Sequence, residues 1–144
     1  MEKRFKIGTT VHLLLFQKNN ILMQRRFNTG FEDGNYSVIA GHINGNETIR
    51  QAMIREAKEE AGLKINLDDL KVVHVMHRQG LIEKVDFFLQ AKKWFGEPII
   101  AEPNKADNLQ WFSLNSLPEN TVGYVRAALE CIEKKLFYSE YGWG

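Results

Sequence analysis

Apolar and polar positions along the chain follow two periods, one strand-like and one helical. Residues 5–16, FKIGTTVHLLLF, are rich in β-branched and aromatic types, and Asn19-Asn20 supply turn chemistry before a second such run, ILMQRR at 21–26. Together they predict a hairpin. FNTGFEDGNY at 27–36 holds two Gly, two Asn and an Asp, which predicts a loop leading into a short strand, YSVIAG at 36–41. Residues 47–61, ETIRQAMIREAKEEA, lack Gly and Pro and stop at Gly62, a residue suited to a left-handed C-terminus, so they predict a helix. Alternation returns in LKVVHVMH at 70–77 and EKVDFFLQAKKWF at 83–95, which read as paired strands, with NLQWFSL at 108–114 a further strand. A closing helix, TVGYVRAALECIEKKLF at 121–137, takes Asn120 as its N-cap. Strands and helices without regular βαβ alternation predict an α+β fold in which a mixed sheet packs against helices.

The helix at 47–61 breaks the usual division into an apolar face and a polar face. At about 100° per residue, Ile49, Ala52 and Met53 form one apolar stripe, and Glu56, Glu59 and Glu60 continue that stripe instead of the opposite side. A second stripe of Ile54, Ala57 and Ala61 lies beside it, while Gln51, Arg55 and Lys58 occupy the far side. Three carboxylates gathered this closely repel unless a cation or shared protons compensate. Oxygen-only ligands suit magnesium, manganese or calcium rather than zinc. The alternative is a solvent-facing acidic patch, the ordinary state of such a run.

Composition narrows the classes. A chain of 144 residues, 44% hydrophobic and 26% charged with three prolines, fits a single globular domain rather than a disordered or fibrous chain. The formal charge of +1 gives no basic field for a nucleic-acid duplex, so an anionic partner must be recognised locally. Cys131 is the one cysteine, which excludes an internal disulfide and a thiolate zinc site. The N-terminal MEKRFKIGTTVHLLLF is too short in its apolar run to span a bilayer and lacks a cleavage site, which predicts a cytoplasmic protein with no membrane partner.

Spacing then overrides the solvated-patch alternative. From Gly41 the order is five residues, Glu47, seven residues, Arg55-Glu56, Ala57, one residue, Glu59-Glu60, one residue, Gly62 and Leu63. This resembles the Nudix box at every fixed position. At roughly 6% usage per residue type, the seven fixed matches arise by chance less than about once in ten million starting points. Ala57 replaces the larger aliphatic that the family usually carries. The resemblance implies an α/β/α sandwich and cleavage, with water and magnesium or manganese, of the diphosphate in a nucleoside diphosphate joined to a further group. It implies that Glu56, Glu59 and Glu60 bind metal and that the Gly41 carbonyl completes the coordination. It places Arg55 and Glu47 as braces of the catalytic loop and helix, and Glu56 or Glu59 as the base. Such cations neutralise phosphate oxygens and align in-line attack.

Three further features resemble MutT-like enzymes acting on nucleoside triphosphates. GEPIIAEPNKADNLQWFSLNSLPEN at 96–120 contains an EP-x-K pattern before a Trp-Phe strand, with Asp107 a candidate late metal ligand because Ala106 stands where relatives place Cys or Glu. Asn120 matches a position that reads an oxidised guanine edge, against its ordinary use as a helix cap. Arg25 and Arg26 point to opposite faces of their strand, so one of them, Arg26, is expected to contact phosphate. Phe31, in the loop with Phe27 and Tyr36, is a candidate ring for base stacking. The expected partner is a small-molecule nucleotide, and the chain a monomer or homodimer. The leading expectation is a triphosphate cleaved to monophosphate and pyrophosphate. ADP-ribose or another nucleoside diphosphate derivative is the second, and a nucleotide-binding module without catalysis the third.

Overall fold

The computed structural model describes residues 3–144. Strand β1 (Gly8–Leu14) sends Val11 and Leu13 to one side and His12 and Leu14 to the other, and the two sides grow into separate hydrophobic clusters. The chain continues through β2 (Phe16–Gln17), β3 (Asn20–Arg26), β4 (Tyr36–Ser37), β5 (Ile39–His42), α1 (Ile49–Ala61), β6 (Leu70–Arg78), β7 (Lys84–Ala91), β8 (Ala106–Ser113), α2 (Gly123–Glu133) and β9 (Tyr138–Tyr141). One sheet has the order β5-β1-β7-β6-β9 and is mixed, because β1 runs antiparallel to β5 and parallel to β7. In the other, β3 pairs antiparallel with β2, β4 and β8.

Helix α1 buries Ala52, Met53, Ala57 and Ala61 on the Val11 and Leu13 side. Helix α2 buries Val125, Ala128 and Leu129 against Leu14, Met76 and Phe88 on the other side. Full burial of each larger apolar side chain contributes roughly 1.5–3 kcal/mol. The result is a mixed sheet packed against helices, as the residue pattern predicts, in the α/β/α sandwich that the resemblance implies. Among the described residues no helix is long and apolar enough to cross a membrane.

Four local expectations are corrected. The first hairpin involves only β2 and β3, around Lys18 at φ 57°, because β1 ends at Leu14 and lies between β5 and β7 in the other sheet. YSVIAG is two strands, split at Val38, so that Tyr36 and Ser37 pair with β3 and the residues from Ile39 pair with β1. Asn120 does not cap α2: its backbone C=O accepts from Tyr36, Thr121 bridges Tyr36, and the helix begins after Val122. The same helix ends at Glu133 rather than 137. Lys135 adopts φ 60°, and the tail returns as β9, parallel to β6.

Candidate functional site

The box helix is bounded as its sequence dictates. Thr48 accepts from the Gln51 N–H while the Gln51 side chain accepts from the Thr48 N–H, a reciprocal capping box. Gly62 closes the helix at φ 66° and ψ 20°. Gly41 lies where β5 passes under α1, and a Cβ there would collide with the Glu56 carboxylate. The glycine is needed for close approach: it lets an acid from the helix press against the strand backbone.

Arg55 ties this arrangement together. Its Nε and Nη2 form a fork on Glu47, at 3.1 and 2.8 Å, and Nη2 also donates to the His42 carbonyl at 3.0 Å. Nη1 donates to Glu56 at 2.8 Å and to Glu59 at 3.3 Å. Hydrogen bonds to Glu47 and Glu56 outweigh burial and raise the Arg55 pKa further above its usual range. Glu47 accepts from the Asn44 N–H at 2.7 Å as well, and Arg55 and that N–H hold its carboxyl below the usual range. Arg55 and Glu47 thereby tie the loop after β5 to α1.

Glu60 is the strained member of the acidic group. Gln24 Nε2 donates to its Oε1 at 3.0 Å, whereas Oε2 is buried with no donor. Burial, and then the neighbouring Glu56 carboxyl, push the Glu60 carboxyl up to about 9 against the weaker pull of Gln24. Among the described residues no three acidic, imidazole or thiol groups converge tightly enough to enclose a cation as they stand. Glu56 neighbours Glu60, while Glu59, half exposed, is held by Arg55. An orphaned buried carboxylate oxygen beside a second carboxylate, all ligands being oxygen, fits a hard divalent cation. Such an ion would supply the positive charge that this pair lacks.

These groups open onto a cleft of about 850 Å³. Arg26 lines it, with Nε donating to the Phe31 carbonyl at 2.6 Å and Nη2 to Thr29 at 3.0 Å, and its guanidinium lies 5.4 Å from the Phe31 ring centre. Arg26 and Phe31 are thus brought to the same cleft as Glu56, Glu59, Glu60 and Gly41. Asp107 and Asn120 are not. A register shift in the β3–β8 ladder pairs Arg25 with Asn108 and Arg26 with Ala106, which leaves Asp107 as the extra residue of a bulge, bonded to Arg25 at 2.7 Å. Asn120 donates its side-chain amide to the Gly34 carbonyl at 2.8 Å, outside the cleft.

The floor of the cleft was not anticipated. Thr10 and His12 of β1, Arg78 of β6, Lys84 of β7 and Tyr124 of α2 face it, with Asp86 buried among them. Arg78 donates to Asp86 through Nε at 2.6 Å and Nη2 at 3.1 Å, His12 Nε2 donates at 3.2 Å, and Thr10 donates its hydroxyl. Burial alone would raise the Asp86 pKa, but these bonds hold it far below the usual carboxylate range. Burial lowers the pKa of His12 despite Asp86, so His12 is the neutral donor. The one sequence signal was alternation: charged or polar residues at 10 and 12, and at 84 and 86, recur every second position in largely apolar strands.

Residues 6–130 match the NUDIX domain family. The chain belongs to that family. A NAD-capped RNA hydrolase, NudC, from Pseudomonas aeruginosa is 26% identical over 78% of this NUDIX chain, which spans 38% of that relative's length. A MutT NUDIX hydrolase from Burkholderia pseudomallei superimposes with a TM-score of 0.81 at 24% identity, covering 88% of this chain and 98% of the other. A MutT protein from Methanosarcina mazei Go1 gives 0.78 at 16% identity, covering 93% and 98%. Both structural neighbours share the sandwich.

Proposed function

We propose that this NUDIX chain hydrolyses the diphosphate linkage of a nucleoside diphosphate joined to a further group, with magnesium or manganese held by Glu56, Glu59 and Glu60. The triphosphate reading leads: a nucleoside triphosphate gives the monophosphate and pyrophosphate. The observation that carries the proposal is the orphaned Glu60 oxygen beside Glu56 at the mouth of a cleft that also contains Arg26.

Bound there, a divalent ion would neutralise phosphate oxygens and make attack by water easier. The chain's own residues do the positioning. Gly41 admits Glu56 to the strand, and Arg55 fixes Glu56 and Glu59 from one side while Gln24 fixes Glu60 from the other. Arg26 bonds only to neutral oxygens, so its guanidinium is available to phosphate. Glu59, the half-exposed acid, tied to Arg55 by one long contact of 3.3 Å, is the group that would accept the proton of the attacking water.

A second reading is supported by the NudC relative: a dinucleotide such as NAD, cleaved to two monophosphates. The position of Asn120 outside the cleft removes one feature that favoured an oxidised guanine nucleotide. A panel of nucleoside triphosphates, ADP-ribose and NAD, with products separated by ion-exchange chromatography, tests the proposal. Pyrophosphate released from triphosphates supports the leading reading, and AMP from ADP-ribose or NAD the second. No turnover of any member with magnesium or manganese present overturns both.

A further inference from the structure

The floor of the cleft, on the far side from α1, offers donors where a substrate's end group would lie. Arg78 and Lys84 stand directly opposite each other in the β6–β7 ladder. Like charges in that position repel, and the one carboxylate between them, Asp86, is engaged through two oxygens by Arg78, leaving a net positive charge. The third guanidinium nitrogen of Arg78, Nη1, bonds to none of the described residues and is not sealed from solvent. Lys84 Nζ donates to His42 Nε2 at 2.7 Å and has two protons left.

The surroundings are shaped for a flat ring. The Arg78 guanidinium lies 3.8 Å over the Tyr124 ring, which together with Asp86 fixes its plane at the cleft floor. Leu81, 99% exposed, and Ile82, 66% exposed, occupy the tip between β6 and β7 and line the same cleft. Exposed aliphatic side chains at a cleft mouth offer an apolar face, which suits a nucleobase better than a further phosphate.

We propose that Arg78 and Lys84 form a specificity subsite that selects a nucleobase by a keto acceptor on its edge, favouring guanine or uracil over adenine. Two donors facing one edge match acceptors such as O6 and N7 of guanine. Adenine presents an amino donor in place of O6 and meets the cations with a proton. The inference rests on the nucleotide reading above and adds the base.

Its test is calorimetric titration of the intact protein, with magnesium, by the α,β-methylene analogues of GTP, UTP and ATP, which resist cleavage at that linkage. Wild type is expected to bind the guanine and uracil analogues about tenfold more tightly than the adenine analogue. Lys84→Met and Arg78→Lys, the second keeping the charge beside Asp86, are expected to shrink that ratio below about threefold, with a cooperative melt retained. Adenine bound as tightly as guanine and uracil, a ratio unchanged in both variants, or no binding of any analogue overturns the subsite. Because the readout is binding, a keto preference without turnover would overturn only the hydrolytic proposal. Turnover with no base preference would overturn only the subsite.

Discussion

Gln24 holds one oxygen of Glu60 at 3.0 Å and leaves the other buried without a donor. A strand of the second sheet thus reaches across to an acid of α1 and fixes it in an unfavourable state that only a proton or a cation relieves. Magnesium is therefore expected to stabilise the fold. An ion present at 100 times its Kd adds about 2.7 kcal/mol. Differential scanning calorimetry should show Tm rising with magnesium in the wild type and rising by about half as much or less in Glu60→Gln. Equal shifts in both proteins would place the ion elsewhere.

Glu59 is half exposed and contributes one long contact with Arg55, so Glu59→Gln should leave stability within about 0.5 kcal/mol of wild type. Hydrolysis should fall by at least about 100-fold, in line with the loss of a group that acts in proton transfer. Parallel melts and initial rates check this. A matching loss of fold and activity would make Glu59 a structural residue.

Gly41→Ala adds a Cβ into the Glu56 carboxylate, the movable end of a side chain. The fold should survive with a cost near 1 kcal/mol, the centre of the range for single substitutions, while turnover falls as Glu56 is displaced. Chemical denaturation together with kcat measurement separates the two effects. Full activity in the variant would show that Glu56 need not approach the strand.

The box was legible because its members lie within 23 consecutive residues and act through one helical period, from Gly41 to Leu63. Helix geometry alone puts Glu56 and Glu60 four residues apart on one side. The cleft floor was not legible, since Thr10 meets Asp86 only through the parallel register of β1 and β7. Asp107 was misread because a bulge, which local pattern does not announce, turns it into the partner of Arg25. Asn120 resembled a cap, but the bridge between Tyr36 and Thr121 keeps the backbone extended past it. The tail read as more helix because its apolar spacing continues. Its actual place depends on His74, which bonds the Leu136 carbonyl at 2.9 Å and Ser139 at 2.8 Å across 62 and 65 residues.

The floor network predicts loss of stability in acid. Asp86 has a folded pKa below its unfolded value, so its contribution is complete above about pH 4 and is lost as pH falls below that. His12, also lowered in the fold, takes up its proton more readily when unfolded, so its effect begins earlier, below about pH 6.5. These two signs agree, while Glu60, pushed up to about 9 in the fold, has the opposite sign over the same range. The decline from pH 7 towards pH 4, and the faster drop below it, should therefore appear in the urea midpoint once Glu60 is replaced by Gln. In His12→Phe the first part of that decline should flatten. A midpoint independent of pH across this range would contradict the assignment of His12 as neutral and Asp86 as ionised.

The most direct test of the account is the binding of Mn2+ followed by electron paramagnetic resonance, in which the signal of the free hexa-aqua ion falls as the protein takes it up. Titration of wild type should remove free ion, and Glu56→Gln and Glu60→Gln should each weaken binding by at least about tenfold, a loss of roughly 1.4 kcal/mol. Unchanged Mn2+ affinity in both variants would contradict the claim that this acidic edge of α1 holds the metal.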